Sequence, residues 1–170
     1  MKILATIVLV FAFSAIGLSQ QGVGVSAQNF NQANMHGENV ELAGLKGKVV
    51  ILTFWSTKCQ ICVSEMPKLN NLVEKYDGQD VEFLGITMNN QAMVERFLKK
   101  KSFKYNILPN GFGVVLKYAP RDGQGRLNMG FPAHFVVDQS GKVVMMTSGF
   151  KTSSKLDSTI TQLLGVDNAK

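Results

Sequence analysis

The chain has 170 residues and a formal net charge of +6, from 18 lysines and arginines against 12 aspartates and glutamates. That length supports a single domain with enough core to fold without staples, which sets aside the small disulfide-stapled scaffolds. The basic residues are scattered, apart from Lys99-Lys100-Lys101, and are not interleaved with aromatics, so the charge does not point to nucleic acid.

Taken from the start, Lys2 is followed by an apolar stretch, Ile3 to Leu18, with small residues interspersed. It is short for a membrane span. The first reading is a cleaved secretory signal over residues 1–19, with Gly17-Leu18-Ser19 as the cleavage site and Val25-Ser26-Ala27 as a second candidate. The alternative is an uncleaved membrane anchor formed by residues 3–18. Either way the rest of the chain is exported, to a compartment where disulfides persist.

Residues 20–38, rich in Gln, Asn and Gly, read as a polar tether, and residues 39–170 as the folded domain. Phe30 with Val40-Glu41-Leu42 and Leu45 predicts a small N-terminal hairpin punctuated by Gly37 and Gly44, with His36 a solvated turn residue.

The apolar run Val49–Trp55 predicts a buried strand, and Ser56-Thr57-Lys58 a short turn after it. Cys59-Gln60-Ile61-Cys62 follows, holding both cysteines of the chain. From there Met66, Leu69, Leu72 and Val73 recur at helical spacing, predicting a helix from Cys59 to Tyr76, kinked at Pro67 and stopped by Asp77-Gly78. Cys59 therefore stands where a strand hands over to a helix N-terminus. The unpaired N–H groups and the positive dipole end there stabilise a thiolate, and Lys58 adds charge in the same sense. Two intervening residues on a first helical turn let the second thiol attack a mixed disulfide made by the first, which is thiol–disulfide exchange. Half of a zinc site is the competing reading of such a pair, but the only histidines, His36 and His134, are not at ligand spacing. A purely structural disulfide is the other, although so small a loop restrains the unfolded chain little.

Val81–Thr87 predicts a second strand, parallel to the first across the helix. Asn89-Asn90 begins a helix with Met93, Val94, Phe97 and Leu98 on one face, and the three lysines close it as a solvated end. Phe103–Leu108 is a short extended segment, and Val114–Tyr118 one or two helical turns within the Gly- and Pro-rich stretch 109–129, whose loop Ala119–Gly125 borders the redox site. Phe131–Asp138 is a strand entered through a proline, Gln139-Ser140-Gly141-Lys142 a hairpin turn, and Val143–Thr147 the return strand. Thr152 or Ser153 caps a last helix carrying Leu156, Ile160, Leu163 and Leu164, ended by Gly165. The predicted class is α/β: a mixed central sheet with helices on both faces, an N-terminal β extension, and an insertion before the proline strand.

Four segments carry a resemblance: Leu45–Cys62, the Glu65-x-Pro67 after it, Gly130–Val143, and the preamble from Ala27 to Leu42. Together they resemble the thioredoxin superfamily, and within it the exported TlpA/ResA-like thiol–disulfide oxidoreductases. The resemblance implies a thioredoxin-like fold in which Cys59 attacks and Cys62 resolves, the two forming the redox disulfide. It implies that Pro132 is a cis-proline facing them and that the Phe131 backbone pairs with an extended substrate segment. It places Glu65 near the thiols, where a carboxylate three residues beyond Cys62 manages a proton. Trp55 packs beside the motif and, with Lys58, completes the substrate-contacting group. No cofactor and no metal is implied. The implied partners are protein thiols and disulfides, cytochrome c maturation substrates among them, and a membrane-bound electron donor. The implied activity is that of a reductase of protein disulfides in the periplasm or another extracytoplasmic space.

The chain departs from thioredoxin itself in carrying Lys58 where that protein has tryptophan, Thr53 where it has a buried aspartate, and no proline before Cys62. All three bear on thiol pKa and potential. Two other activities stay open. One is a thiol peroxidase of peroxiredoxin type, although Ser56 fills its threonine position and residues 51–53 lack its proline. The other is a Cu(I)-binding chaperone using both cysteines and His134, although such chaperones space their cysteines differently, and His134 reads better as neutral packing.

Overall fold

A computed structural model describes residues 22–165. The leader or anchor expected over residues 1–19 lies outside them, and among the described residues no helix is long and apolar enough to cross a membrane.

Strand β3 (Val49–Trp55) is central, and all of its residues are buried. Its alternation sends Val50, Leu52 and Phe54 to one face and Val49, Ile51 and Trp55 to the other, each against its own apolar cluster. A continuous apolar run is what a strand covered on both faces requires. Helix α1 (Gln60–Lys75) carries the chain across one face to β4 (Val81–Thr87), which pairs parallel with β3. Helix α2 (Gln91–Leu98) leads to the parallel edge strand β5 (Asn106–Leu108). Helix α3 (Phe112–Tyr118) crosses to the other face, where Val114, Val115 and Tyr118 join Phe30, Phe54 and Phe135. Strands β6 (Ala133–Val137) and β7 (Val143–Ser148) add antiparallel to β3, giving the order β5-β4-β3-β6-β7. Helix α4 (Ser153–Leu164) returns to the α1 face with Leu156 and Ile160 fully buried. The α/β class, the mixed sheet and its helices on both faces are as the sequence predicts.

Helix α1 runs through Pro67, whose ring is exposed and whose missing N–H removes one bond from the ladder. The hydroxyl of Thr152, in the capping position of α4, makes no capping bond and is buried without a partner.

The described part of the expected tether is not a tether. Strand β1 (Asn31–Ala33) pairs antiparallel with β2 (Asn39–Glu41), the predicted hairpin. Upstream of it the backbone is bonded to the domain, with Gly24 N–H donating to Val143 O at 2.8 Å and Ala27 N–H to Gly141 O at 2.9 Å. Phe30 is only 3% exposed and meets Tyr118 edge-on at 6.3 Å between ring centres. Polar composition hides this because one aromatic side chain and a few backbone bonds do the anchoring.

Phe30→Ala should therefore lower unfolding free energy by about 3 kcal/mol, read as a lower urea midpoint at unchanged slope. A tether residue would change it by less than about 0.5 kcal/mol.

Candidate active site

Parallel pairing places the C-terminal ends of β3 and β4 side by side, with Trp55 opposite Thr87. The loops leaving them form the crevice typical of α/β sheets. One loop is Ser56-Thr57-Lys58. The other holds Asn89, whose side-chain oxygen accepts from Thr57 N–H at 2.9 Å, from the Ser56 hydroxyl at 3.2 Å and from the Thr87 hydroxyl at 3.1 Å. Asn89 thus fixes the turn that delivers the first cysteine. The sequence marked it only as a helix start, because its partners are distant in the chain.

Cys59 is the N-cap of α1, and its sulfur accepts the Cys62 backbone N–H at 3.1 Å. An N–H so placed at a helix N-terminus is the kind of donor that stabilises a thiolate. Cys59 and Cys62 are joined as a disulfide. They differ in access: Cys59 is half-buried, whereas Cys62 is 2% exposed and packs into the cluster under α1.

The antiparallel strand β6 enters the crevice from the opposite direction, so its first residues reach the same end. The Phe131–Pro132 peptide bond is cis. The Phe131 carbonyl oxygen lies 3.6 Å from Cys59 Sγ, and the Pro132 carbonyl accepts from Gly149 N–H at 2.9 Å. Phe131 is half-buried, and Met129 and Gly130 of the long insertion lead directly into it. Around this edge Ile61, Met88 and Phe150 are exposed apolar side chains.

Glu65 stands one turn beyond Cys62 and is fully buried. Neither carboxylate oxygen has a hydrogen-bond partner, and the nearest cation, Lys68 Nζ, is 3.9 Å away. Trp55 is also in the core, at 1% exposure, with its ring against Phe97 and Phe103 at 5.4 Å and 5.2 Å and its Nε1 unpaired. A docked substrate would not touch that ring, so the expected substrate contact becomes a packing role under the motif. Lys58 is exposed beside Cys59.

Beneath the crevice runs a row whose members the sequence named singly, Thr53 and His134, or not at all, Gly85, and did not bring together. Gly85, Thr53 and His134 are register neighbours across β4, β3 and β6. Thr53 Oγ1 and His134 Nδ1 share a hydrogen bond of 2.9 Å, and His134 Nε2 is buried without a partner. A Cβ on Gly85 would stand 3.2 Å from both Trp55 Nε1 and the Phe103 ring, so the absence of a side chain lets the aromatics close over the row. The Tyr105 hydroxyl is buried on the same face beside Thr53, and burial pushes its pKa up. Among the described residues no three His, Cys, Asp or Glu side chains gather closely enough to hold a metal ion. His134 lies in the core, bonded to Thr53.

The AhpC/TSA family matches residues 23–146. The chain belongs to that family. It is 33% identical over 137 residues to the thiol–disulfide oxidoreductase ResA of Bacillus cereus, covering 79% of this chain and 75% of that one. It is 28% identical to ResA of Geobacillus thermodenitrificans, over 91% of each. Among solved structures, a thiol:disulfide interchange protein of the thioredoxin family from Chlorobium tepidum superposes with a TM-score of 0.70 at 25% identity, covering 82% of this chain and 96% of that one. Within the AhpC/TSA family, then, this chain has the thioredoxin-like fold and is a thiol–disulfide oxidoreductase, as the resemblance implied.

Burial of His134 lowers its pKa from the ordinary 6.5 to about 4. Between those values the unfolded chain holds a proton that the folded one does not, so stability falls as pH drops through this window. The contribution is fully present above pH 6.5, and the loss amounts to about 3 kcal/mol by pH 4. Urea unfolding from pH 7 to pH 4 should show it, and His134→Leu should flatten the slope between pH 6.5 and 5. An unchanged slope in that variant would count against a buried neutral imidazole.

Proposed function

We propose that the mature protein is exported and reduces disulfides of partner proteins outside the cytoplasm. Cys59 is the attacking residue and Cys62 the resolving one. The observation that carries the assignment is their unequal access: a nucleophile must be reached by a partner, and only Cys59 is accessible, whereas Cys62 need reach only Cys59.

The Cys59 thiolate, held by the Cys62 N–H, attacks one sulfur of the partner disulfide. The partner's other sulfur leaves as a thiolate and takes a proton. Cys62 then loses its proton to the Glu65 carboxylate and attacks Cys59 Sγ. The protein disulfide forms, the second partner sulfur leaves as a thiolate and is protonated from solvent, and Glu65 gives its proton back to solvent, so two electrons pass from the dithiol to the partner. During the mixed-disulfide stage the Phe131 backbone, at the cis-Pro132 bend, pairs with the partner's extended segment, and Ile61, Met88 and Phe150 cover apolar surface around it. Lys58 flanks the attacked bond. The cycle needs an electron donor to restore the dithiol, and a membrane-bound dithiol donor fits an exported protein. Disulfide-bonded apocytochromes are the substrate class that the resemblance in sequence implies.

Two experiments test this. Cys62→Ser should accumulate a mixed disulfide with a disulfide-bonded protein probe such as insulin, visible as a reducible mass adduct, and Cys59→Ser should form none. Glu65→Gln should slow the resolving step at least about tenfold while leaving adduct formation nearly unchanged. Adducts on Cys62 instead would reverse the assignment. The Cys59–Cys62 potential, titrated against glutathione, should lie well below the glutathione couple. A value well above it would make the protein a disulfide donor, and peroxide turnover outpacing protein-disulfide reduction would favour a peroxidase.

A further inference from the structure

Beside the disulfide, between the first turns of α1 and the last turn of α2, lies an open groove of about 690 Å³. Its floor is apolar, formed by the half-buried Val63 and Phe97, and Phe97 rests on Trp55. Its rim carries Lys58, Lys100 and Lys101, all exposed. Several other lysines of the fold are matched, Lys75 to Asp157, Lys104 to Glu74 and Lys68 to Glu65. Among the described residues no carboxylate lies within ion-pair distance of Lys58, Lys100 or Lys101. Three cations with no internal partner therefore surround an apolar floor that ends at Gln60, next to the accessible cysteine.

We infer that this groove docks an acidic segment of the partner protein, with aspartates or glutamates flanking one or two apolar side chains close to the cysteine to be reduced. The inference rests on the oxidoreductase reading of Cys59 and deepens it by naming a class of partner. Charge complementarity carries it: carboxylates on the segment meet the lysine rim while its apolar side chain covers Phe97 and Val63. The groove is concave and bounded by Lys58 and Gln60, the chain neighbours of Cys59, so an occupant seated in it presents its own sulfur beside that residue. A flat lipid surface across the same lysines would instead block that approach. Attraction to the rim acts mainly on association and is weakened by salt.

The test uses the reduced full chain and two synthetic peptides of one apolar sequence, each with an internal disulfide, one flanked by glutamates and the other by lysines. At low ionic strength the acidic peptide should be reduced about tenfold faster, and high salt should erase the difference. In Lys100→Glu/Lys101→Glu the ratio should fall to about one or below. Lys46→Glu/Lys48→Glu, at the far end of β3, changes net charge equally and should keep most of the ratio. Equal rates for both peptides in the wild type would overturn the proposal, as would equal loss in both variants, which would assign the effect to overall charge. A flat peptide ratio with binding to phosphatidylglycerol vesicles through Lys100 and Lys101 would give the patch to a membrane and also overturn it. Failure to reduce either peptide, or the neutral hydroxyethyl disulfide, would instead sink the oxidoreductase reading beneath it.

Discussion

The strand β3 is covered on both faces and bonded along both edges, and the geometry of the site stems from that confinement. A parallel neighbour, β4, cannot be reached by a tight turn, so the chain must leave the end of β3 through a crossover helix. That helix begins at the C-terminal end of the strand, and Cys59 is its first capping residue. The antiparallel neighbour on the other side, β6, runs the opposite way, so its entry residues arrive at the same end. Cys59 Sγ and the Phe131 carbonyl oxygen meet at 3.6 Å because the two edges of one strand are paired in opposite senses.

The same confinement has a cost on the α1 face. Trp55 Nε1, both oxygens of Glu65 and His134 Nε2 are buried there without hydrogen-bond partners. Each such group forfeits hydration that a hydrogen bond would replace. The opposite face, around Phe30, Phe54, Tyr118 and Phe135, is packed by aromatic edges and carries no comparable set among the described residues. Unsatisfied polarity gathered on the face that carries the Cys59–Cys62 disulfide is a local conflict with stability of the kind found where a site is under functional demand. Glu65, one turn beyond Cys62, is the carboxylate of the set.

The features legible in the sequence are those that short-range chemistry determines. The unbroken apolar run of β3, the helical spacing after Cys62, the Asn90 and Gly165 boundaries and the Asp138–Gly141 turn are all written within a few residues. The illegible ones depend on pairings across the chain. Gly24 and Ala27 look like linker until Val143 and Gly141 accept their bonds. Asn89 looks like a helix cap until Ser56 and Thr57 turn to it. The row of Gly85, Thr53 and His134 emerges only when three strands are laid in register, because the three lie far apart in the chain. The cis bond before Pro132 was reachable through resemblance alone, since nothing in Gly130-Phe131-Pro132 distinguishes it from the far commoner trans form.

The family match stops at residue 146, inside β7, yet the site depends on the helix beyond that point. Helix α4 lies against α1, and its Leu156 and Ile160 seal the cluster that includes Cys62 and Met66. At the far end of α1 the Tyr76 hydroxyl donates to Asp157 Oδ1 at 2.6 Å and shares a bond of 2.8 Å with Thr161, while Lys75 closes on the same carboxylate at 2.7 Å. The partly buried hydroxyl, unlike an exposed ion pair, resists screening by solvent. Helix α1, which Pro67 leaves one ladder bond short, is thus braced by the last helix at two places, through the apolar cluster around Cys62 and Met66 and through Asp157 and Thr161 at Tyr76.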